Sequence, residues 1–416
     1  MRFWVGGYTA DGEGSAEGIG VLHAGAPDSA LAGGDLAFAG VAARTDSPSW
    51  VAAHPTLDVL YVAQEAAGTV QAFTRTGEET FAPLGGAVDA GDFVCHVAIA
   101  PTGDAVIASC YGDGRVVRFA LDARGALGAP RIADGAEDPY SDAAQQARAA
   151  DVASLADLSS LADLSSLADL SSLAGMIGAA AIGDLPLFGA DAQAAASAQA
   201  SDAATEIATE EPTRVSRSHQ SCFLPGGVIA TTDLGFDLVR FWTVRGGDLH
   251  ETQRVTLPRG CGPRHTVWHP SGHLYVVTEL SLEVFVLAPE PGSRPGEGWR
   301  VISASPLAGE ASPGSDFAAE IALTRDAEYA LVGIRGSNTI ASLRVRDGGA
   351  AVVPVALADS GVDWPRHHVV ERDTVLVAGQ LSNEVAALSL DERTGAVGRV
   401  RRRVEVPSPT CLVAAP

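Results

Sequence analysis

Arginine, glutamate, histidine and tyrosine recur at two equivalent positions of a repeating unit in this 416-residue chain. One position holds Ser49, Cys95, His219, Arg264, Ala319, Arg366 and Thr410; the other holds Tyr8, Glu65, Tyr111, Asp233, Glu279, Arg335 and Gln380. Neither set contains a large aliphatic side chain. The planar fork of arginine suits two-point capture of a carboxylate or phosphate, and a neighbouring carboxylate or imidazole carries protons. If the two sets share one face of the molecule, three arginines and several carboxylates converge on one polar pocket. The same residues also fit a plainer role, lining a water-filled channel and pairing with one another. On that reading Arg264 and Arg335 form structural ion pairs with Glu279, and His219 is a satisfied histidine at a junction.

The elements that carry these residues form a cycle of a polar residue, a strand, a turn that is often Pro-type, a second strand and another polar residue. Complete copies run from Pro48 to Glu65, Val94 to Tyr111, Ser218 to Asp233, Pro263 to Glu279, Ala319 to Arg335 and Pro365 to Gln380. A seventh is split: Pro409-Thr410-Cys411-Leu412-Val413 supplies its first strand and Phe3-Trp4-Val5-Gly6-Gly7-Tyr8 its second. A repeat of about 45 residues with about four short strands is the pattern of a propeller blade. The predicted fold is therefore all-β, a seven-bladed β-propeller closed by pairing of the N- and C-terminal strands in one blade. Five strand residues span about 17 Å. The residue that opens the first strand and the residue that ends the second therefore return to the same face, around the central channel.

Composition agrees with many short strands and tight turns: 46% hydrophobic residues, 46 Gly and 23 Pro. Internal repetition argues for a single domain over 1–416 despite the length. One interruption stands out. Pro101 and Pro225 are 124 residues apart where other copies are spaced by 44 to 55. The excess falls in an Ala-, Asp- and Ser-rich insertion at 132–211 containing a hexapeptide repeat from Ser154 to about Ala174. Leucines three residues apart drift by about 60° per step around a helix, so they make no fixed apolar stripe. The expectation is a disordered or partly helical surface insertion, with a lid or an oligomerisation arm as the functional alternative.

The net charge of −23, with Arg and no Lys, disfavours nucleic acid and anionic membranes as partners. No apolar run approaches the ~20 residues needed to span a bilayer, and the first eight residues do not read as a signal peptide. A cytoplasmic protein is expected. Cys95, Cys110, Cys222, Cys261 and Cys411 lack paired metal spacing and read as free buried thiols. No metal and no cofactor is called for. His96, His265 and His367 follow the polar position by one residue, so strand alternation turns them to the other side as packing residues. Adjacent His367 and His368 point apart, which argues against a shared metal. Arg259-Gly260-Cys261-Gly262 lacks the strand–turn–helix context of a phosphate loop or nucleophile elbow.

Gly262-Pro263-Arg264-His265, Thr278-Glu279-Leu280, Asp233-Leu234-Gly235-Phe236-Asp237, Val5-Gly6-Gly7-Tyr8-Thr9 with Gly18-Ile19-Gly20, and Pro48-Ser49-Trp50 together carry a family pattern. The chain resembles the lactonase family of seven-bladed propellers, which includes propeller-type 6-phosphogluconolactonases and carboxymuconate cyclases. The resemblance implies a catalytic set of His219, Glu279, Arg264 and Arg335, and the remaining ring positions supply Arg366, Asp233, Glu65, Tyr111, Gln380 and Tyr8 as substrate-binding neighbours. Two departures are visible: Arg217-Ser218-His219 stands where the family has His-x-His, and Thr278-Glu279-Leu280 where it has Asn-Glu-Leu.

The expected activity is hydrolysis of a sugar lactone, 6-phosphoglucono-δ-lactone in the pentose phosphate pathway, by a monomer acting on an anionic small molecule. A lactone-forming cycloisomerase and a non-catalytic ligand- or protein-binding propeller are the alternatives.

Overall fold

The computed structural model describes residues 1–25, 34–141, 144, 213–309 and 311–415. Its strands form seven antiparallel sheets, one per blade. The first blade runs from Pro48–Ala53 through Val59–Gln64 and Thr69–Arg75 to Phe81–Pro83, with the short Val88–Asp89 added beside Thr69–Arg75. The next five begin with Val94–Ile99, Ser218–Leu224, Pro263–His269, Phe317–Leu323 and Pro365–Glu371, each followed by three more strands. In the seventh blade Pro409–Ala414 pairs with Arg2–Gly7, which pairs onward with Gly18–Ala24 and then Leu36–Arg44. The innermost strands touch in ring order and close the circle through Pro409–Ala414. Closure joins the innermost strands into a ring and leaves the outermost strand of each blade, such as Ala396–Glu405, as its sheet edge.

The second strand of each blade is buried on both faces, which is why it reads as a continuous run rather than an alternating one: Val228–Asp233 and Tyr329–Arg335 are buried throughout. Apolar contacts gather in seven clusters, one at each boundary between neighbouring blades. The cluster between the fourth and fifth blades includes Val277, Val284, Ile321 and Val332, and that between the second and third includes Ile107, Ile229 and Trp242. Each fully buried Val, Leu or Ile contributes about 1.5–3 kcal/mol relative to exposure.

Hydrogen bonds on the face away from Arg264 add to these contacts. Tyr61 donates to Gly125 O at 2.7 Å, Tyr275 to Gly349 O at 2.9 Å and Tyr329 to Arg393 O at 3.0 Å, each reaching the following blade. His54 and His269 make equivalent contacts to Gly103 O and Ala327 O, both at 3.0 Å.

By backbone contacts the chain divides into residues 1–138 with 215–416, which form the propeller, and residues 139–214. Within the second unit the Arg214 guanidinium lies over the Tyr140 ring at 5.2 Å, and Ala144 N donates to Ser141 Oγ. The hexapeptide repeat read as a disordered or helical insertion lies outside the described residues. No described helix is long and apolar enough to cross a membrane.

Candidate active site

Each innermost strand pairs with its neighbour through a register shift at the polar position. Ser49, Cys95, Arg366 and Thr410 are left unpaired singly, and His219-Gln220, Arg264-His265 and Ala319-Glu320 as pairs. A β-bulge breaks strand alternation and re-aims the side chains on either side of it. In five blades the residue just before this strand has positive φ: Ser47, Phe93, Gly262, Trp364 and Ser408. At Gly262 a Cβ would also sit 3.0 Å from Leu280 Cγ, and its amide donates to Asp237 Oδ1 at 2.8 Å. The turn that launches Arg264 is thereby held by a carboxylate of the preceding blade.

The upper layer of the channel brings most of the expected residues together. Glu279 Oε2 lies 2.9 Å from Arg264 Nε and 2.8 Å from Arg335 Nη2, so one oxygen faces two buried guanidiniums. Arg335 also donates to the Ala318 carbonyl and stacks over Trp364 at 5.3 Å. Arg366 donates to Tyr8 Oη at 2.7 Å and to Gln380 Oε1 at 3.3 Å, while Tyr8 donates to the Glu65 carboxylate at 2.9–3.0 Å. His219 stands edge-on to Tyr111 with ring centroids 6.0 Å apart.

Asp233 is placed differently. Its carboxylate accepts Ser216 Oγ and the amides of Arg217 and Phe236, so it braces the loop rather than joining the arginine cluster.

Burial and surrounding charge set the protonation states here. Burial, then Arg264, His265 and Arg366, hold the His219 imidazole well below its usual range, leaving it neutral at pH 7. Burial, reinforced by Arg335 and opposed by Glu279, lowers the Arg264 guanidinium to about 10. Burial pushes the Tyr8 hydroxyl up against the opposing effect of Arg366, and Glu65 adds to the rise, so Tyr8 is a neutral donor. Burial also acts on Arg366, but Tyr8 and Glu65 outweigh it and keep the guanidinium above its usual range.

One layer deeper the structure corrects the sequence reading of the histidines. His96, His265 and His367 do not turn away from the channel; all three pack on Trp50, at 4.4, 5.3 and 5.1 Å between ring centroids. These residues come from the first, second, fourth and sixth blades, and strands of non-adjacent blades meet only at the axis. The bulge is the physical cause, because it removes the alternation on which the expectation rested. His265 Nδ1 lies 2.7 Å, and His367 Nε2 3.3 Å, from the same Glu320 oxygen. Among the described residues no group of three or more His, Cys, Asp or Glu is arranged to hold a metal ion.

Sequence reasoning missed this layer, Trp50, His96, Gln220, His265, Glu320 and His367. Its signal was present: a second polar or aromatic residue directly after the first, in strands that are otherwise apolar. Reasoning also passed over Arg217, whose guanidinium lies over the Tyr111 ring at 4.7 Å. A larger cavity of about 290 Å³ between Val5–Gly7 and Phe38–Val41 has Glu17 as its sole ionisable lining residue, and Glu17 pairs with Arg44.

Comparison with known proteins places this architecture. The profile of the family described as "Lactonase, 7-bladed beta-propeller" matches residues 2–149 and 181–414. A 6-phosphogluconolactonase of Bacillus subtilis is 27% identical over 199 residues, covering 47% of this chain and 56% of that protein. The match thus spans about half the length of that relative. Among solved structures, a Pseudomonas aeruginosa periplasmic gluconolactonase superposes with a TM-score of 0.72 at 21% identity, covering 100% of this chain and 99% of the other. A Lactobacillus plantarum protein superposes with a TM-score of 0.72 at 20% identity, covering 99% and 98%. At these identities the two structures speak for the fold alone.

Proposed function

The chain belongs to the seven-bladed β-propeller lactonase family, and from that premise we propose that it hydrolyses a sugar lactone in the mouth of the axial channel. The preferred substrate in this proposal is 6-phosphoglucono-δ-lactone, opened to 6-phosphogluconate as in the pentose phosphate pathway. The observation that carries the reading is the pairing of a neutral, buried His219 with three converging guanidiniums, Arg264, Arg335 and Arg366, that have Glu279 and Glu65 as their neighbouring carboxylates. The site is rich in cationic donors, as an anionic substrate and an oxyanionic transition state require.

In the proposed reaction a water molecule attacks the lactone carbonyl carbon while His219 takes its proton. The carbonyl oxygen gains negative charge facing the arginines, which are already in place and need little reorganisation. The ring C–O bond then breaks, and the proton returns from the imidazolium to the leaving alkoxide. Two groups were eligible as the base, Glu279 and His219. Glu279 Oε2 is already engaged by both Arg264 and Arg335, which commits it to holding the two guanidiniums in place. His219 is uncharged, so it is assigned the proton transfer and Glu279 the positioning of Arg264 and Arg335. No step in this scheme requires a cofactor.

The deciding assay follows proton release from freshly generated 6-phosphoglucono-δ-lactone and from unphosphorylated glucono-δ-lactone, against the spontaneous rates. Acceleration by the wild type that is lost in a folded Arg264→Ala variant supports the proposal. Absence of acceleration on both lactones would overturn it.

A further inference from the structure

One buried carboxylate takes no part in the reaction above. Glu320 lies a layer below the mouth and is 8% exposed. Its partners are two imidazoles, His265 Nδ1 at 2.7 Å and His367 Nε2 at 3.3 Å. The carboxylates of the upper layer are committed elsewhere, Glu279 to Arg264 and Arg335, and Glu65 to Tyr8, which itself receives Arg366. Glu320 is therefore the carboxylate of the axis that no guanidinium holds by a direct contact.

These contacts fix the ring protons. A carboxylate only accepts, so His265 carries its hydrogen on Nδ1 and, being neutral, leaves Nε2 bare. Burial and then Arg264 keep that ring neutral. On His367 the Leu412 amide donates to Nδ1 at 3.2 Å, so the hydrogen sits on Nε2 and faces Glu320. His265 in turn meets the proposed base. The His219 and His265 rings stand 5.1 Å apart, edge to face, and both line one small chamber. His219 Nδ1 is fully buried and has no hydrogen-bond partner among the described residues. When His219 takes a proton on Nε2 it becomes a cation, and burial and then Arg264 oppose that charge. A cation there needs an acceptor for Nδ1–H and a negative charge within reach. The bare nitrogen of His265 supplies the first and Glu320 the second.

We propose that Glu320 is a positioning residue for lactone hydrolysis. It holds His265 with Nε2 open to accept from His219 Nδ1–H, and its charge, behind His265, favours the imidazolium that forms on His219 in the transition state. No proton leaves His219 by this route; the one taken from water still returns to the leaving alkoxide. The role rests on the lactonase reading and adds to it the group that lets a histidine act as a base among arginines.

The test uses the full chain and the lactone that the wild type hydrolyses. Glu320→Gln keeps an oxygen for both imidazoles and removes the charge. Its kcat should fall about 10²-fold while KM stays within about 2-fold, the split expected of a group felt only in the transition state. Neutron diffraction from wild-type crystals grown in heavy water should show deuterium on His265 Nδ1 and His367 Nε2 and none on His265 Nε2. If the variant does not fold, that measurement decides alone. Wild-type kcat in the folded variant, or deuterium on His265 Nε2, would overturn the role of Glu320 and leave the lactonase reading standing. A wild type that accelerates neither lactone would overturn that reading, and this role with it.

Discussion

Glu279 Oε2 reaches Arg335 Nη2 at 2.8 Å across the boundary between the fourth and fifth blades, so the candidate site is assembled at a blade interface. The same oxygen serves Arg264, and all three side chains are largely withdrawn from solvent. Glu279→Gln removes the shared carboxylate and leaves two buried guanidiniums without it. Urea titration should show a loss of about 3 kcal/mol. Lactonase kcat/KM should fall by about 10²-fold or more through misplacement of the arginines. Unchanged kinetics in a folded variant would remove Glu279 from the site.

His219 is the proposed base, and its ring packs against Tyr111 and His265. His219→Phe preserves an aromatic ring and removes the proton acceptor. The expected result is a fall in kcat of about 10²–10⁴-fold with a circular dichroism spectrum like that of the wild type. Wild-type kcat in this variant would return the base role to Glu279.

Arg217 presents a cation on the Tyr111 ring, beside His219, and forms no ion pair among the described residues. An anionic lactone entering the mouth passes this charge. Arg217→Gln should raise KM for the phosphorylated lactone about 10-fold with little change in kcat, while KM for the unphosphorylated lactone stays as it was. Equal effects on both lactones would show that Arg217 acts on structure and not on the phosphate.

Acid should destabilise this propeller before its carboxylates titrate. Burial, with His367 and Arg264 adding to it, lowers His96 to about 3; burial, opposed by Glu320, lowers His367 to about 4. The unfolded chain binds these protons near pH 6.5, so the stability contributed by the neutral rings is complete above that pH and declines as pH falls toward 4. From pH 7.5 to pH 5 the two residues together should remove about 4 kcal/mol, measured by urea titration at each pH. His96→Phe should return about 2 kcal/mol of that loss.

Blade boundaries on the opposite face are tied by single buried bonds such as Tyr275 Oη to Gly349 O. Tyr275→Phe leaves that carbonyl without its partner and should lower stability by about 1–2 kcal/mol, with lactonase kinetics unchanged. A change in kcat would mean that the far face is coupled to the mouth.

The repeat by itself determined the fold. A strand–turn–strand cycle of fixed spacing can bury its faces only against neighbouring copies, and a cycle split between the two ends closes only as a ring. It also determined which residues stand near one another at the mouth, because two short antiparallel strands return the chain to the face it left. Tyr8 with Glu65, Arg366 with Gln380, and Arg264 with Glu279 were adjacent in that reading and touch in the structure.

What the sequence could not decide was where consecutive residues point. Arg264 and His265 are neighbours in a strand, and the period of two sends them to opposite faces; a bulge at that point turns both toward the axis. The bulge depends on a backbone register set jointly by two strands and by turns such as that at Gly262, so the period of two does not reveal it, although the consecutive polar residues mark the spot. Asp233 likewise occupies a ring position, yet Ser216 and the Arg217 and Phe236 amides draw its carboxylate into the loop. Strand order and spacing are local and readable; the layer a side chain enters, and the partners it finds there, belong to the closed ring.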